Sequence, residues 1–167
     1  MITVKNLTFQ YPTAKTNTLE NISFSVNEGD VLGIVGPSGS GKTSLAMALA
    51  GHVPDVTGGS ITGTITVAGR DPREDYGTYV GMIFEDYSSQ LTQVRVIDEV
   101  TVPLLSRGLS GDEARKQAKE LLANVQLKGY ENKKTWELSG GEQQRVAIAA
   151  ILAIDPDVLI FDNAIDM

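Results

Sequence analysis

The sequence predicts an α/β fold built on a parallel sheet, and three observations carry that prediction. Apolar runs without alternation at residues 31–35, 79–84 and 158–161 have the pattern of strands buried on both faces. Helix-forming segments with recognisable start signals lie between them. Glycine, 17 of 167 residues, has no period, which excludes collagen-like and low-complexity chains. With 41% of residues hydrophobic, the chain has the composition of a globular domain with a buried core, not a disordered one.

The elements follow in chain order. Ile2 and Val4 alternate with polar residues, with a register change before Leu7 and Phe9, as do Ile22, Phe24 and Val26. Both stretches predict half-buried strands. Asn27-Glu-Gly-Asp30 is a turn, and residues 31–35 are the first fully buried strand. Residues 36–41 break it, and residues 43–50 form a helix that Gly51 terminates. A Gly/Thr/Ser-rich stretch at 57–64 leads to a short strand at 65–68, and residues 79–84 form the second buried strand. Ser110 and Glu113 make a capping box, followed by one apolar helix face of Ala114, Ala118, Leu121, Leu122 and Val125. A second box, Ser139 with Glu142, opens a helix ending near Ile154. Asp155-Pro-Asp157 turns the chain into a last buried strand that ends at Asp162.

Composition excludes several functions. The formal net charge of −7 opposes general adhesion to nucleic acid or anionic lipid, and Lys128, Lys133 and Lys134 read as a solvated helix end. Without cysteine there is no disulfide framework and no thiolate metal site, and the single His52 excludes His-rich sites. The longest apolar run, residues 146–154, is half of what a membrane span needs. The N-terminus lacks the basic-then-apolar pattern of a secretory leader. A cytoplasmic chain that does not bind nucleic acid is expected.

Gly36, Pro37, Ser38, Gly39, Ser40, Gly41, Lys42 and Thr43 satisfy G-x-x-x-x-G-K-[ST] at every fixed position, with Ser44 next. Glycines let backbone N–H groups approach phosphate oxygens, and the following helix N-terminus adds its partial positive charge. Lys42 can reach the outer phosphates, and the Thr43 hydroxyl can ligate Mg²⁺. The plainer alternative, a glycine-rich turn with an incidental lysine, leaves the whole pattern to coincidence. Asp162, at the end of a buried strand, can hold the hydration shell of the same metal.

Leu138, Ser139, Gly140, Gly141, Glu142 and Gln143 form the other informative segment. A capping box explains Ser139 and Glu142, but not two glycines in the first helical turn, where they cost stability. A helix start with bare N–H groups beside a serine hydroxyl is a second phosphate-binding surface. One chain rarely needs two cradles for one nucleotide, whereas two chains meeting head to tail would pair them.

Loop, signature segment and aspartate-ending strand, in this order and spacing, resemble the ATP-binding cassette (ABC) ATPases over essentially the whole chain. The resemblance implies a P-loop NTPase parallel sheet with an N-terminal antiparallel β part and an inserted helical subdomain. It divides the chain into a nucleotide-binding core at 1–86, a helical subdomain at 87–140 ending at the signature, and a return to the core at 141–167. It implies ATP and Mg²⁺ as cofactors, with Thr43, Glu85 and Asp162 as metal positions and Tyr11 where the family stacks adenine. It further implies a cassette dimer in which each ATP lies between one cradle and the other subunit's signature. Residues 51–71, 80–86 and 89–91 are similar to energy-coupling-factor (ECF) ATPases, which power uptake of vitamins or transition-metal ions. That similarity implies membrane-embedded partner subunits and a peripheral place on the inner face of the cell membrane.

Two positions depart from the family's pattern. Asn163 stands where the family has glutamate to polarise the attacking water, and Glu85 stands at the glutamine of the Q-loop. An amide cannot accept a proton at neutral pH, and general-base contributions are typically ~10²–10⁴-fold. Hydrolysis at this chain's own site is therefore expected to be slow or absent, while its signature serves a non-identical partner. Glu85 keeps a hard oxygen for the metal and adds negative charge near the phosphates. Ala164, Ile165 and Asp166 also differ from the family's Pro-Thr-Ser, and the later strands and switch histidine are expected after them, so the sequence reads as a truncated cassette lacking its C-terminal strands. The competing reading is a non-transport ABC ATPase, gated by ATP inside a soluble complex. A nucleotide kinase on the same scaffold would leave the signature unexplained.

Overall fold

The computed structural model describes residues 1–74 and 79–163, and the chain divides into two compact units, Met1–Val80 and Gly81–Met167. In the first unit, β1 (Ile2–Gln10) is the central strand of a three-stranded antiparallel sheet. β2 (Leu19–Val26) pairs with one edge of it and β3 (Ser60–Val67) with the other. The expected register change before Leu7 is real: the β1–β2 ladder shifts between Val4 and Leu7, and Asn6 sits at φ 51°. On the β3 side, Gly63 at φ +88° faces the Lys5 and Asn6 carbonyls so closely that a Cβ there would collide with both. Val4, Leu7, Phe9, Leu19, Ile65 and Val67 are buried, each contributing roughly 1.5–3 kcal/mol of transfer free energy.

α1 (Lys42–Leu49) ends in a Schellman arrangement. His52 N–H donates to the Met47 carbonyl at 2.8 Å and Gly51 N–H to Ala48 at 3.2 Å, with Gly51 at φ +78°. Leu45 and Leu49 carry its buried face.

Two sequence-based expectations fail in this unit. Residues 31–35 form no strand, and Val31 and Val35 are 98% and 94% exposed. An apolar run becomes a strand only when neighbours satisfy its N–H and C=O groups, and no described strand pairs with it. β3 is twice the expected length, because Ile61, Thr62 and Thr64 supply β-branched residues between the glycines that marked the stretch as a loop.

In the second unit, β4 (Val80–Ile83) and β5 (Val158–Phe161) form a two-stranded parallel sheet. β4 is buried along almost its whole length, as its apolar run predicts. β5 instead alternates, with Leu159 and Phe161 exposed on one face and Val158 and Ile160 half-buried on the other, the pattern of a strand covered on one face only. Gly81 admits α4 (Gly140–Ala153) against the pair: a Cβ there would run into Ile151. α2 (Val96–Ser106), α3 (Gly111–Asn124) and α4 enclose a core of Val96, Val100, Leu104, Ala118, Leu122 and Val146. Both expected capping boxes form, Ser110 with Glu113 and Ser139 with Glu142. α2 lies inside the stretch 87–140 expected to be helical, with no side-chain cap to mark its start. No helix of the described residues is long and apolar enough to cross a membrane. Ala164, Ile165 and Asp166 lie outside the described residues.

Candidate functional site

The phosphate loop is an exposed turn leading into α1. Gly36 leaves room for Ser40, whose Oγ would stand 2.8 Å from a Cβ at that position. Ser40 N–H in turn donates to the Pro37 carbonyl at 3.2 Å, while Gly39 adopts φ +78°. Gly41, at φ +91°, is the residue before the helix, and a Cβ there would lie 2.9 Å from the Thr18 carbonyl oxygen. Only glycine meets both demands. The Lys42 ammonium bends back over the loop and donates to the Gly36 and Pro37 carbonyls, each at 2.9 Å.

The start of α1 differs electrostatically from the other long helix starts. It has no side-chain cap and no acidic residue in its first turn, whereas α3 and α4 carry Glu113 and Glu142 there. The N–H donors and positive dipole end of α1 are therefore not neutralised by the chain's own carboxylates, which suits an external anion. Ser38, Ser40 and Thr43 bring hydroxyls to this exposed segment. Tyr11 belongs to the same unit: its hydroxyl lies 3.0 Å from Ser44 Oγ, and its ring meets Phe9 edge-on at 4.7 Å.

The second unit brings together Glu85, Asp162 and Asn163. Asp162 is 6% exposed, and its N–H donates to the Ile83 carbonyl at 2.9 Å, which locks the end of β5 to the end of β4. Asn163 Nδ2 donates to Glu85 Oε2 at 3.3 Å, so the two residues that depart from the expected pattern touch each other. Gln90 is not part of this group. Its amide donates to the Met82 carbonyl and accepts from Phe84 N–H, extending the β4 backbone pairing. Asp86 caps the following 3₁₀ turn, and the hydrogen bond from Ser88 holds its carboxyl below the usual range.

The signature segment splits into anchors and an open face. Leu138 is buried, and Gln143 Nε2 donates to the Thr135 carbonyl at 3.1 Å. Ser139 N–H and Oγ both donate to Glu142 Oε2 at 2.8 Å, and these bonds, with one from Tyr130, pull the Glu142 carboxyl down to about 2. Gly140 has a local reason to be glycine: a Cβ would stand 2.9 Å from the Tyr87 hydroxyl. Gly141 has none, since nothing lies within 4 Å of where its Cβ would be. Sequence reasoning missed Tyr87, which lines one cleft with Glu85 and Gln143. No local signal links it to a helix start more than fifty positions away.

Within the second unit, Glu85 and Asp162 carry the hard carboxylate oxygens that a metal would meet there. That chemistry fits Mg²⁺, which takes one or two carboxylates and otherwise keeps water or phosphate oxygens. No cluster of three or more His, Asp or Glu side chains occurs among the described residues, so a closed all-protein metal cage is not present there.

Comparison with known proteins places these features in context. Residues 19–166 match the family model described as ABC transporter. The energy-coupling factor transporter ATP-binding protein EcfA1 of Fusobacterium nucleatum is 37% identical over 172 residues, covering 100% of this chain and 62% of its own length. EcfA1 of Levilactobacillus brevis is 38% identical, covering 100% of this chain and 60% of its own. The chain spans between 27% and 62% of the length of the curated relatives compared. Among solved structures, the dimeric post-hydrolysis ATP-binding cassette MJ0796 bound to ADP and Pi superposes with a TM-score of 0.83 at 28% identity, over 96% of this chain and 73% of that one. The cbiO1 protein of Clostridium perfringens, part of the ABC transporter complex cbiONQ, gives 0.80 at 28% identity, over 96% and 64%.

Proposed function

Because the chain belongs to the ABC transporter family, we propose that it is the ATP-binding subunit, or one half, of an importer of the energy-coupling-factor kind. It binds ATP at its own phosphate loop and supplies its signature segment to the ATP held by a second, non-identical cassette. The observation that carries this reading is the start of α1, where left-handed Gly41, tethered Lys42 and a first turn without acid assemble an anion cradle. The ECF similarity of relatives that cover the entire chain supports the importer assignment.

In this reading Tyr11 stacks the adenine, and Gly36 to Ser44 receive the phosphates. Residues 1–86 serve as the nucleotide-binding core, residues 87–140 as the helical part facing the membrane subunits, and residues 141–167 as the return to the core. Mg²⁺ would neutralise charge on the phosphate oxygens, and Thr43, Glu85 and Asp162 are the residues that would hold it. Lys42 contributes fixed positive charge, and the Asp162 carboxylate is kept in place by the backbone bond from its own N–H to Ile83. Asn163 offers an amide where a carboxylate would best orient water, so turnover at this chain's own cradle is slow. The chain works at the inner face of the membrane, bound to membrane-embedded subunits that choose the substrate.

The test is purification of the natural chain with its bound partners, followed by MgATP titration. Membrane subunits in the complex, and micromolar MgATP binding lost in Lys42→Ala, are the expected results. A complex with ribosomes or DNA in place of membrane proteins would contradict the importer reading.

A further inference from the structure

The segment that leads into the signature is held by the start of α2. Val96 N–H donates to the Lys133 carbonyl at 3.1 Å and Ile97 N–H to the Glu131 carbonyl at 3.0 Å, while Thr135 N–H donates to the Val94 carbonyl at 3.0 Å. The first two of these bonds satisfy helix-start donors that no side chain caps. Glu99, in the first turn of α2, fixes the stretch just before the helix. Its Oε2 accepts from Thr92 N–H at 2.8 Å and from Gln93 N–H at 2.6 Å. The hydrogen bonds then continue towards the signature. The Gln93 carbonyl accepts from Thr135 Oγ1 at 2.9 Å, and the Thr135 carbonyl accepts from Gln143 Nε2 at 3.1 Å, in the first turn of α4.

Burial makes Glu99 unusual for a helix-start residue. It is 7% exposed, and among the described residues its carboxylate forms no ion pair. A buried carboxylate without a cation is costly, and N–H donors offset that cost only when they are held at hydrogen-bond distance. Capping does not require such burial, because Glu113 serves the start of α3 from an exposed position. Thr135, the next member of the series, is buried as well, and Leu138 beyond it belongs to the core that α2, α3 and α4 enclose.

We propose that Glu99 is a positioning residue for the signature segment: through Gln93 and Thr135 it sets where Gln143 and the first turn of α4 stand. Glu99 touches no nucleotide. Without its acceptor oxygen the Thr92 and Gln93 N–H groups lose their partner, and the stretch that carries the Gln93 carbonyl moves to find another, taking Thr135 with it. A misplacement of ~1 Å in a group that acts on a reacting substrate can cost about 10²-fold in rate. This inference rests on the reading that the signature completes the partner's ATP site, and it names a residue outside the signature that governs it. Glu99 and Thr135 act in series, so their losses should not add.

The experiment measures kcat and KM for ATP in the assembled natural complex, with substitutions in this chain only. Glu99→Ala, Glu99→Gln, Thr135→Val and the Glu99→Ala/Thr135→Val pair are compared with wild type. Val100→Ala, which trims the core contact of the same helix, is the control for lost stability, and Gly141→Asp is the control for the signature itself. The expected result is a kcat about tenfold or more below wild type for Glu99→Ala, with KM changed less than about threefold. Glu99→Gln keeps an acceptor oxygen and should stay within about threefold of wild type, as should Val100→Ala. The pair should fall within about twofold of Glu99→Ala alone. A Glu99→Ala complex no slower than Val100→Ala, or a Glu99→Gln complex as slow as Glu99→Ala, overturns the proposal if Gly141→Asp is slow. Wild-type turnover in Gly141→Asp overturns the signature reading itself, and this proposal with it.

Discussion

The Tyr11 hydroxyl and the Ser44 hydroxyl lie 3.0 Å apart, joining the residue that follows β1 to the first turn of α1. The ring of Tyr11 is therefore fixed by its own tip and by the edge-on contact with Phe9 at 4.7 Å. If the ring stacks on adenine, its face matters more than its hydroxyl. Tyr11→Ala is expected to weaken MgATP binding by the ~1–3 kcal/mol typical of base–aromatic stacking, about fivefold to 150-fold. Tyr11→Phe keeps the face and should lose less than about threefold. Equal losses in the two variants, measured by calorimetric titration, would assign the effect to the hydroxyl pair instead.

Lys42 holds its ammonium over the loop through two carbonyls, and bound phosphate offers the same ammonium a charged acceptor. Hydrogen bonds to charged groups contribute roughly 1.5–3 kcal/mol. Lys42→Ala should weaken MgATP binding by more than about tenfold in equilibrium titration. Because the side chain is not in the core, its melting temperature without nucleotide should stay within about 2 °C of wild type.

Gly41 and Gly111 each precede or open a helix, and they respond differently to a methyl group. Gly41 has φ +91° and the Thr18 carbonyl 2.9 Å from a Cβ, so Gly41→Ala combines left-handed strain with a backbone clash. A loss of about 1–3 kcal/mol is expected in denaturant unfolding. Gly111 has no positive φ and nothing within 4 Å, so Gly111→Ala should be neutral or stabilise by up to about 1 kcal/mol.

Glu142 reports on the start of α4 through pH. Hydrogen bonds from Ser139 N–H, then Ser139 Oγ, then Tyr130 pull its carboxyl down to about 2, from an ordinary value near 4.5. A carboxyl depressed in the folded state stabilises it above the unfolded value. That contribution fades as pH falls from about 4.5 towards 2. Side-chain carboxyl NMR titration of Glu142 should show the low midpoint, and Ser139→Ala should raise it.

Local signals were legible where they are self-contained. The alternation of Ile22, Phe24 and Val26, the register change before Leu7, the Ser110–Glu113 box and the glycine at 51 all depend on residues a few positions apart, and all appear in the structure. Residues 31–35 did not behave as their composition suggests, because strand formation depends on a neighbour that no local pattern encodes. The bounds of α2 are not legible although Ile97, Val100, Thr101 and Leu104 have helical spacing, since it lacks a Ser, Thr, Asp or Asn cap and contains Pro103. Its inward Glu99 is also unlike a core residue, yet it accepts from Thr92 and Gln93 N–H, and burial pushes its carboxyl up. For the candidate site, the residue types at the phosphate loop and signature were readable from spacing alone. The meeting of Glu85 with Asn163 was not, because it is made by strand pairing across 78 positions.

Gly141 gives the most direct test of the claim that this chain completes a partner's ATP site. Its Cβ position is open, and an acidic residue in the first turn of a helix is locally favourable, so Gly141→Asp should leave the chain's own fold and melting temperature intact. The measurement is steady-state ATP turnover by the assembled natural complex carrying Gly141→Asp in this chain only. The account predicts a fall of about tenfold or more, because the new carboxylate would face the phosphates held by the partner. Turnover equal to that of the wild-type complex would contradict it.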